Sequence, residues 1–426
     1  MLYYAAGSED RVISDDELKS VVESTLNKLG NQKKVLALPP DMSRFHSQAG
    51  KITTFLYDYY GKALTDIMPA IGTHAPMSRE ETDRMFPGVP RELFREHRWR
   101  KDLSTLGTVP ADFVREQTGG KLDFDWPAQV NSLLADGGHD LILSVGQVVP
   151  HEVIGLANYN KNIFVGTGGQ EGINKSHFVG AVYGMERIMG RADNPVRAIL
   201  NYASEHFGDK LPKLVYILTV IGRAEDGSLP IRGLFIGDDH ECFYKAAELS
   251  LKVNFTMLDR PIKKAVVYLD PEEFKSTWIG NKSIYRTRMA IADGGELIVL
   301  APGVKEFGED SENDRIIRKY GYVRTSEVLR LVDENEDLQQ NLGVAAHLIH
   351  GSPEGRFSVT YCPGHLSREE ITGAGYNYAD ITEVTRRYNP ENLNDGWNTL
   401  PDGEEIYYVS NPAVGLWAVP ERFTDN

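Results

Sequence analysis

Three basic side chains of chemically versatile types lie in one stretch of the chain. Lys161 follows His151 by ten residues, and His177 follows Lys161 by sixteen. An imidazole can take up or release a proton near neutral pH and can bind a metal ion, while a neutral lysine amine is a nucleophile. The glycine-rich turn at residues 167–172 lies in the same stretch, and its backbone N–H groups can hold a phosphate. These residues predict acid–base, metal or covalent chemistry.

Two polar clusters precede that stretch. Asp41 and Arg44 follow the strand-like residues 33–38, and ligands of open α/β sheets bind where strands end. The arginine fork suits a carboxylate, and Asp41 can accept from hydroxyls or orient a neighbouring side chain. His74 follows a glycine and precedes the acidic start of a helix, whose positive end favours a neutral imidazole suited to taking up a proton. Both clusters are therefore candidates for the site.

A fourth cluster lies much later in the chain. Trp278 precedes Lys282 by four residues, and Gly294-Gly295 follows Lys282 by twelve and opens an apolar strand. From these residues alone, Lys282 is interpreted as a surface lysine.

The elements that must position these residues follow from hydrophobic periodicity. A helix is predicted to begin after Ser14, with Glu17 completing a capping box, and to end at Gly30. Further helices are predicted at residues 178–189 and 239–252. Apolar, β-branched-rich runs of strand length occur at residues 33–38, 140–144, 162–165, 214–220, 231–236, 265–269, 296–300 and 357–361. Short apolar runs that alternate with helices are typical of buried parallel strands, so the predicted fold class is α/β.

The length of the chain predicts two domains. At 426 residues it exceeds the roughly 250–300 residues at which a single core stops growing. We expect two α/β domains with mainly parallel sheets and an active-site cleft between them. The boundary is placed near residues 259–262, where a proline-containing turn precedes a new strand, which gives domains of residues 1–260 and 261–426.

Composition excludes several classes of partner. A formal net charge of −15 disfavours nucleic acids, whose binding depends on clustered Lys and Arg. No apolar run reaches the roughly 18 residues needed to span a bilayer, and the first residues lack the pattern of a signal peptide. Cys242 and Cys362 form no Cys-x-x-Cys motif, so any metal must be held by histidine, carboxylates or a cofactor. We therefore expect a cytoplasmic protein with a small-molecule partner.

Taken together, the clusters resemble the nickel-dependent lactate racemase family, in the same order over most of the chain. The family's Asp-x-Thr-Arg segment corresponds to residues 41–44, and its Gly-x-His-x-Pro-x-x-x-Glu-Glu segment corresponds to residues 72–81. The strongest match is the gapless spacing of the two histidines and the lysine described above. The family's substrate-contacting lysine also lies twelve residues before a Gly-Gly pair, with an aromatic residue four positions earlier, as Lys282 and Trp278 do.

The resemblance implies a cofactor and a set of roles. The family's cofactor is a nickel-pincer nucleotide, which is a pyridinium-3-thioamide-5-thiocarboxylic acid mononucleotide with bound nickel. By match to the motifs, Lys161 is covalently linked to this cofactor, Asp41 contacts it and His177 binds the nickel. His74 and His151 are the two opposed catalytic bases. The residues implied to bind the substrate are Arg44, Lys282 and Trp278.

The implied activity is that of an isomerase that inverts C2 of a 2-hydroxy acid. One histidine takes the hydroxyl proton while the C2 hydrogen leaves as hydride, and the planar 2-keto acid receives the hydride on its other face. Hydride removal avoids forming a carbanion beside an ionised carboxylate. Residues 1–260 would then form the cofactor-binding and catalytic domain, and residues 261–426 would contribute substrate-binding residues. Transient contact with the proteins that make the cofactor is also expected.

Two departures from the family pattern bear on the ligands. Residues 156–160 replace the family's Gly-Ser-Gly-Gly-Arg approach to the lysine, which leaves open how the nucleotide phosphate is held. A tryptophan expected near position 338 is absent, and residues 338–341 read Leu-Gln-Gln-Asn. With His46 and Ser47, these amides predict a polar pocket, in which lactate would leave hydrogen-bonding groups unsatisfied. The preferred substrate is therefore an aldonate such as gluconate, with malate or lactate as alternatives.

Two rival functions remain open from the residues. A zinc hydrolase or lyase could use His74, His151 and His177 as three ligands around an open position. A non-catalytic protein could bind the nucleotide without turnover. Tight zinc without added mass on Lys161 would favour the first rival, and the lack of any single-turnover reaction would favour the second.

Overall fold

The computed structural model describes residues 1–224 and 226–423, and it divides into two compact units. The first unit comprises Met1–Val179 and Met189–Asn254. The second comprises Gly180–Ile188 and the chain from Phe255 onwards. The segment Gly180–Ile188 therefore leaves the first unit to join the second before the chain returns. Within the described residues, no helix is long and apolar enough to cross a membrane.

The first unit alternates strands with helices. Its strands are β1 (Leu2–Gly7), β2 (Val35–Leu38), β3 (Leu64–Ile67), β4 (Leu103–Val109), β5 (Trp126–Asn131), β6 (Leu141–Gln147), β7 (Pro150–His151), β8 (Gly155–Leu156), β9 (Lys213–Ile221) and β10 (Ile231–Gly237). Its helices are α1 (Asp15–Leu29), α2 (Ala49–Tyr60), α3 (Arg79–Met85), α4 (Ala111–Gln117), α5 (Ser132–Asp136), α6 (Asn160–Phe164), α7 (Gln170–Tyr183), α8 (Pro195–Phe207) and α9 (His240–Asn254). The last residues of α7 belong to the second unit.

The main sheet of the first unit has the strand order β1-β10-β9-β6-β2-β3 among the described residues. Neighbours from β9 to β3 pair in parallel, and β10 and β1 add antiparallel strands at one edge. Every residue of β2 and β6 is buried, as expected for parallel strands covered on both faces. The carboxyl ends of β2, β3 and β6 therefore meet at one edge, and the loops that follow them carry the predicted site residues.

The second unit is also α/β. Its strands are β11 (Phe255–Met257), β12 (Ile262–Tyr268), β13 (Ile291–Ala301), β14 (Ser358–Pro363), β15 (Asn377–Tyr378), β16 (Gly396–Thr399), β17 (Glu405–Val409) and β18 (Leu416–Ala418). Its helices are α10 (Thr277–Gly280), α11 (Lys282–Thr287), α12 (Ser311–Tyr320), α13 (Thr325–Glu334), α14 (Glu336–Gln339), α15 (Leu342–Gly351), α16 (Arg368–Gly373) and α17 (Ile381–Arg387). Its larger sheet has the order β15-β14-β13-β12-β17-β16, in which the described pairs are parallel except for β16 with β17.

The predicted α/β class with mainly parallel sheets is confirmed. Helix α1 begins after Ser14, whose side chain accepts from the Glu17 N–H, and it ends at Gly30. The strand predicted at residues 162–165 is wrong, because these residues lie largely in helix α6. A short apolar run has the same composition in a buried helix as in a buried strand, so periodicity cannot separate the two. The helix predicted at residues 178–189 corresponds to α7, which begins earlier, at Gln170, and ends earlier, at Tyr183. It ends there because the next residue, Gly184, has a positive φ angle.

Candidate active site

The loop after β2 and the loop after β3 meet in a charged pair. Asp41 caps a short 3₁₀ helix, Met42–Ser47, and accepts a hydrogen bond from the Ser43 N–H at 3.1 Å. Its other carboxylate oxygen lies 2.7 Å from Nδ1 of His74. Burial by itself would raise the pKa of Asp41, but the charges of His74 and Arg44 and the hydrogen bonds hold that pKa at about 2. An ionised carboxylate can only accept, so Nδ1 of His74 donates, and in the neutral form of the ring Nε2 keeps the lone pair that a base needs.

Arg44 lies in the same 3₁₀ helix as a cation available to a ligand. Its guanidinium is half-buried and makes no hydrogen bond or ion pair with the residues that the structure describes. Its charge acts on both Asp41 and Lys161. An arginine fork without a protein partner suits the carboxylate of a small acid.

Lys161 lies in the short helix α6 and presents an unpaired amine. The side chain is half-buried, and across residues 1–224 and 226–423 its amine has neither a hydrogen bond nor an ion pair. Burial, aided by the charge of Arg44, lowers the pKa of Lys161 to about 8, although Glu152 and Asp41 act in the opposite direction. Compared with an ordinary lysine, the neutral, nucleophilic fraction near pH 7.5 rises by roughly a hundredfold.

The neighbours of Lys161 explain how its position is fixed. Asn162 is buried and donates to the Leu38 carbonyl at 3.1 Å and to Ser144 Oγ at 2.9 Å. These bonds attach α6 to the carboxyl ends of β2 and β6. On the other side of Lys161, Asn160 is also buried and donates to the α8 side chain Asn201 at 2.8 Å. Lys161 is therefore held between two anchored amides while its own amine stays unpaired.

His177 lies in helix α7 with its tautomer fixed by the backbone. Its Nδ1 is 2.7 Å from the carbonyl oxygen of Ile173, one turn earlier. A carbonyl can only accept, so Nδ1 carries the proton and Nε2 keeps a lone pair. Burial lowers the pKa of His177, and the charge of Lys161 lowers it further. A neutral imidazole with Nδ1–H bonded to a carbonyl is the form in which histidine binds metals through Nε2.

His151 ends the two-residue strand β7 and is buried. The Val153 N–H donates to its Nδ1 at 3.1 Å, so the proton of a neutral His151 is on Nε2. The carboxylate of Glu152 lies beside it, with Oε2 at 3.9 Å from Nδ1. Glu152 also acts on the pKa values of Lys161 and His177, raising both. Glu152 was missed at the sequence level, where an acidic residue beside an identified histidine was the available signal.

These interactions define one electrostatic neighbourhood in the first unit. The charges of Arg44, Glu152 and Asp41 act on the pKa of Lys161. The charges of Lys161, Glu152 and His74 act on the pKa of His177. The predicted residues of this unit are therefore linked by contacts or by charge: Asp41, Arg44, His74, His151, Lys161 and His177.

Lys282 and Trp278 lie in the second unit. Trp278 is in the four-residue helix α10, which Ser276 caps, and its ring stacks on His347 with centroids 4.3 Å apart. His347 Nε2 is 3.0 Å from the hydroxyl of Tyr322. Lys282 begins α11, and its amine lies 5.7 Å from the centre of the Phe274 ring. Their substrate-binding roles stay predictions.

The amides predicted to line a polar pocket bond to their own segment instead. Gln339 donates to the Asp333 carbonyl at 3.1 Å, and Gln340 donates to Glu336 at 2.8 Å. Both glutamines are exposed, whereas Leu338 is fully buried. These glutamines therefore give no support to a polar pocket.

The donor set bears on which metal chemistry fits. Among the described residues, no group of three or more His, Cys, Asp or Glu side chains is arranged to hold a metal ion. A zinc site made by His74, His151 and His177 is therefore not supported. A cofactor that carries most of its own ligands needs one protein nitrogen and one attachment point. The lone pair of His177 and the unpaired amine of Lys161 have the right chemistry for those two tasks.

Comparison with known proteins assigns the class. Residues 8–188 match the sequence model described as the lactate racemase N-terminal domain, and no curated protein matches the sequence. A protein of known crystal structure from Thermotoga maritima is 26% identical, covers 97% of this chain and 100% of its own, and superposes with a TM-score of 0.82. The lactate racemase apoprotein from Thermoanaerobacterium thermosaccharolyticum is 16% identical, with 95% and 93% coverage and a TM-score of 0.68.

These findings show an α/β fold like that of the lactate racemase apoprotein and a family match over residues 8–188. Residues 8–188 belong to the lactate racemase N-terminal domain family, which confirms the resemblance drawn from the motifs. At 16% identity, the likeness to the lactate racemase apoprotein shows the fold alone. The matched residues include each site residue predicted in the first unit.

Proposed function

We propose that this protein is a racemase or epimerase of a 2-hydroxy acid that works with a nickel-pincer nucleotide. The observation that carries the proposal is the pairing of an unpartnered lysine amine, whose pKa burial lowers to about 8, with a histidine that keeps a lone pair on Nε2. An isomerase of the lactate racemase type would use the amine to attach the cofactor and the histidine nitrogen to bind the nickel. The membership of residues 8–188 in the lactate racemase N-terminal domain family supports the same reading.

We assign the cofactor to residues of the first unit. Lys161 would hold it covalently through its amine, His177 would bind the nickel, and Asp41 would contact it through its buried carboxylate. When bound, the cofactor supplies an acceptor that can take a hydride from C2 and return it. Attachment needs a neutral amine, which the low pKa of Lys161 provides near neutral pH.

The two remaining histidines manage the hydroxyl proton. His74 takes a proton on Nε2 because its Nδ1–H is bonded to Asp41, whose negative charge stabilises the imidazolium that forms. Neutral His151 has its proton on Nε2, so it can donate a hydrogen bond to the oxygen of the 2-keto acid, and it would return a proton to that oxygen from its doubly protonated, imidazolium form. Arg44 and Lys282 are assigned to the carboxylate of the substrate, and Trp278 to its packing.

For the substrate we propose a polar 2-hydroxy acid, such as an aldonate, in preference to lactate. The support is that the tryptophan expected near position 338 is absent, so the aromatic wall that the family places against a methyl group is missing. The neighbouring glutamines no longer support this choice, because their amides bond within their own segment. Malate and lactate are the comparison substrates.

The decisive experiment is co-expression with the cofactor-making enzymes, followed by intact-mass and metal analysis. We expect added mass and nickel on the wild-type chain, no added mass on Lys161→Arg, and added mass with reduced nickel on His177→Gln. Unmodified wild-type protein containing stoichiometric zinc would contradict the proposal. With loaded enzyme, D-gluconate should yield its C2 epimer, and turnover of lactate alone would contradict the substrate choice.

A further inference from the structure

Arg197 is a fully buried cation with no carboxylate partner. It lies in helix α8, its side chain is about 1% exposed, and it forms no ion pair with the described residues. Burial lowers its pKa to about 10. Placing a guanidinium in the interior costs several kcal/mol unless its N–H groups find strong partners. The location of those partners therefore indicates what the residue does.

The partners of Arg197 lie in the segment that leads to Lys161. One terminal nitrogen donates to the Leu156 carbonyl at 2.7 Å, and the other contacts the Asn158 carbonyl at 3.4 Å and the Asn160 side chain. The guanidinium also lies over the Phe243 ring, 4.2 Å from its centre. One planar fork thus holds three successive points of the segment formed by residues 156–160.

That segment needs external support because of its backbone. Asn158 and Tyr159 have φ angles of 69° and 60°, in the left-handed region that disfavours residues with a Cβ atom. They stand at the positions where the family motif has two glycines. The strained conformation is retained without glycine, held by Arg197 and by stacking of Tyr159 on Phe243 with ring centres 5.2 Å apart.

We propose that Arg197 is a positioning residue for Lys161, holding residues 156–160 in the strained conformation that aims the amine. The inference deepens the proposed function, since it rests on Lys161 as the attachment point. Arg197 is placed where it can act, because its charge is among those felt by Lys161, together with the charges of Arg44, Glu152 and Asp41. Its two terminal nitrogens bond to the segment, whereas its buried Nε has no hydrogen-bond partner among the described residues.

The test measures the amine of Lys161 in the cofactor-free protein. Limited acetylation across a pH series, read by peptide mass spectrometry, gives the pH midpoint of labelling at Lys161. We expect a midpoint near 8 for the wild type. In Arg197→Met the midpoint should rise by about one pH unit or more, because the amine gains water and loses a neighbouring positive charge.

Three further variants separate positioning from general destabilisation. Arg197→Lys keeps the charge but not the fork, so its midpoint should lie between those of the wild type and Arg197→Met. Low-millimolar guanidinium should restore the midpoint in Arg197→Ala by filling the cavity. Arg286→Met removes another fully buried arginine, in the second unit, and should leave the midpoint unchanged. A folded Arg197→Met protein with the wild-type midpoint would overturn the inference.

Cofactor loading distinguishes this inference from the proposed function. After co-expression, the fraction of chains with added mass on Lys161 should be about tenfold smaller for Arg197→Met than for the wild type. This ratio corresponds to about 1.4 kcal/mol. A wild-type chain without added mass would overturn the proposed function, while the labelling midpoints would still decide the role of Arg197. Full loading of Arg197→Met would overturn the positioning role.

Discussion

His74 and His151 carry the same functional group, but the chain surrounds them differently. His74 is about half exposed, and its Nδ1 donates to the buried carboxylate of Asp41 at 2.7 Å. His151 is buried, its Nδ1 accepts from the Val153 N–H, and Oε2 of Glu152 lies 3.9 Å from that nitrogen. The first arrangement leaves a lone pair on Nε2, and the second leaves a proton there.

The neutral rings of the two histidines therefore present opposite groups at Nε2, a lone pair on His74 and an N–H on His151. A reaction that removes a hydroxyl proton on one side and returns it on the other needs a base on one side and an imidazolium or other acid on the other. The carboxylate partner of His74 and the backbone donor to His151 fix the tautomers of the neutral rings before a substrate binds. Replacing each histidine and each carboxylate in turn tests whether the two rings behave differently.

The largest effect is expected when either histidine is replaced in loaded enzyme. His74→Asn and His151→Asn should each lower kcat/KM by about 10²–10⁴ in both directions, because each direction uses one as base and the other as acid. Single-turnover formation of the 2-keto acid should separate them, with each variant failing on a different stereoisomer. Loss of the same stereoisomer in both variants would contradict the pairing.

Replacing Asp41 should change acid stability. Its pKa of about 2 lies below the unfolded value near 3.9, so its contribution is fully present above about pH 5 and is lost as pH falls towards 2. The wild type should therefore lose about 2 kcal/mol of unfolding free energy over that range from this group, and Asp41→Asn should lack that component. Urea unfolding at a series of pH values measures it, and matching slopes for both proteins would contradict the pairing with His74.

Replacing Glu152 should have a smaller effect than replacing Asp41. Oε2 of Glu152 lies 3.9 Å from Nδ1 of His151, beyond hydrogen-bond distance of that atom, so Glu152→Gln should lower kcat by only several-fold. Asp41→Asn, which breaks a direct charge-assisted bond, is the matched comparison. Equal losses in the two variants would show that the histidines depend on their carboxylates alike.

The smallest perturbation is spectroscopic and changes no residue. Long-range ¹⁵N–¹H spectra of the cofactor-free protein, assigned with the two histidine variants, should show the proton of neutral His74 on Nδ1 and that of His151 on Nε2. The same tautomer at both positions would remove the basis of the comparison.

Several features of this protein were readable from the sequence. The α/β class followed from short apolar runs alternating with helices, and α1 followed from its capping residues, because both signals lie in neighbouring residues. The candidate residues of the first unit were found through motif spacing, which records chemistry that a short segment can carry by itself. His151, Lys161 and His177 are the clearest case.

Tertiary structure decided what those residues do to one another. Asp41 and His74 were both identified, but their hydrogen bond joins loops after different strands. Residues 162–165 form part of a helix because Asn160 and Asn162 bond to distant elements, which apolar periodicity does not record. Arg197 resembles any helical arginine in sequence, and only packing shows it buried against residues 156–160. Tautomers, amine pKa and strain depend on contacts between residues far apart in the chain, so they appear only once the chain has folded.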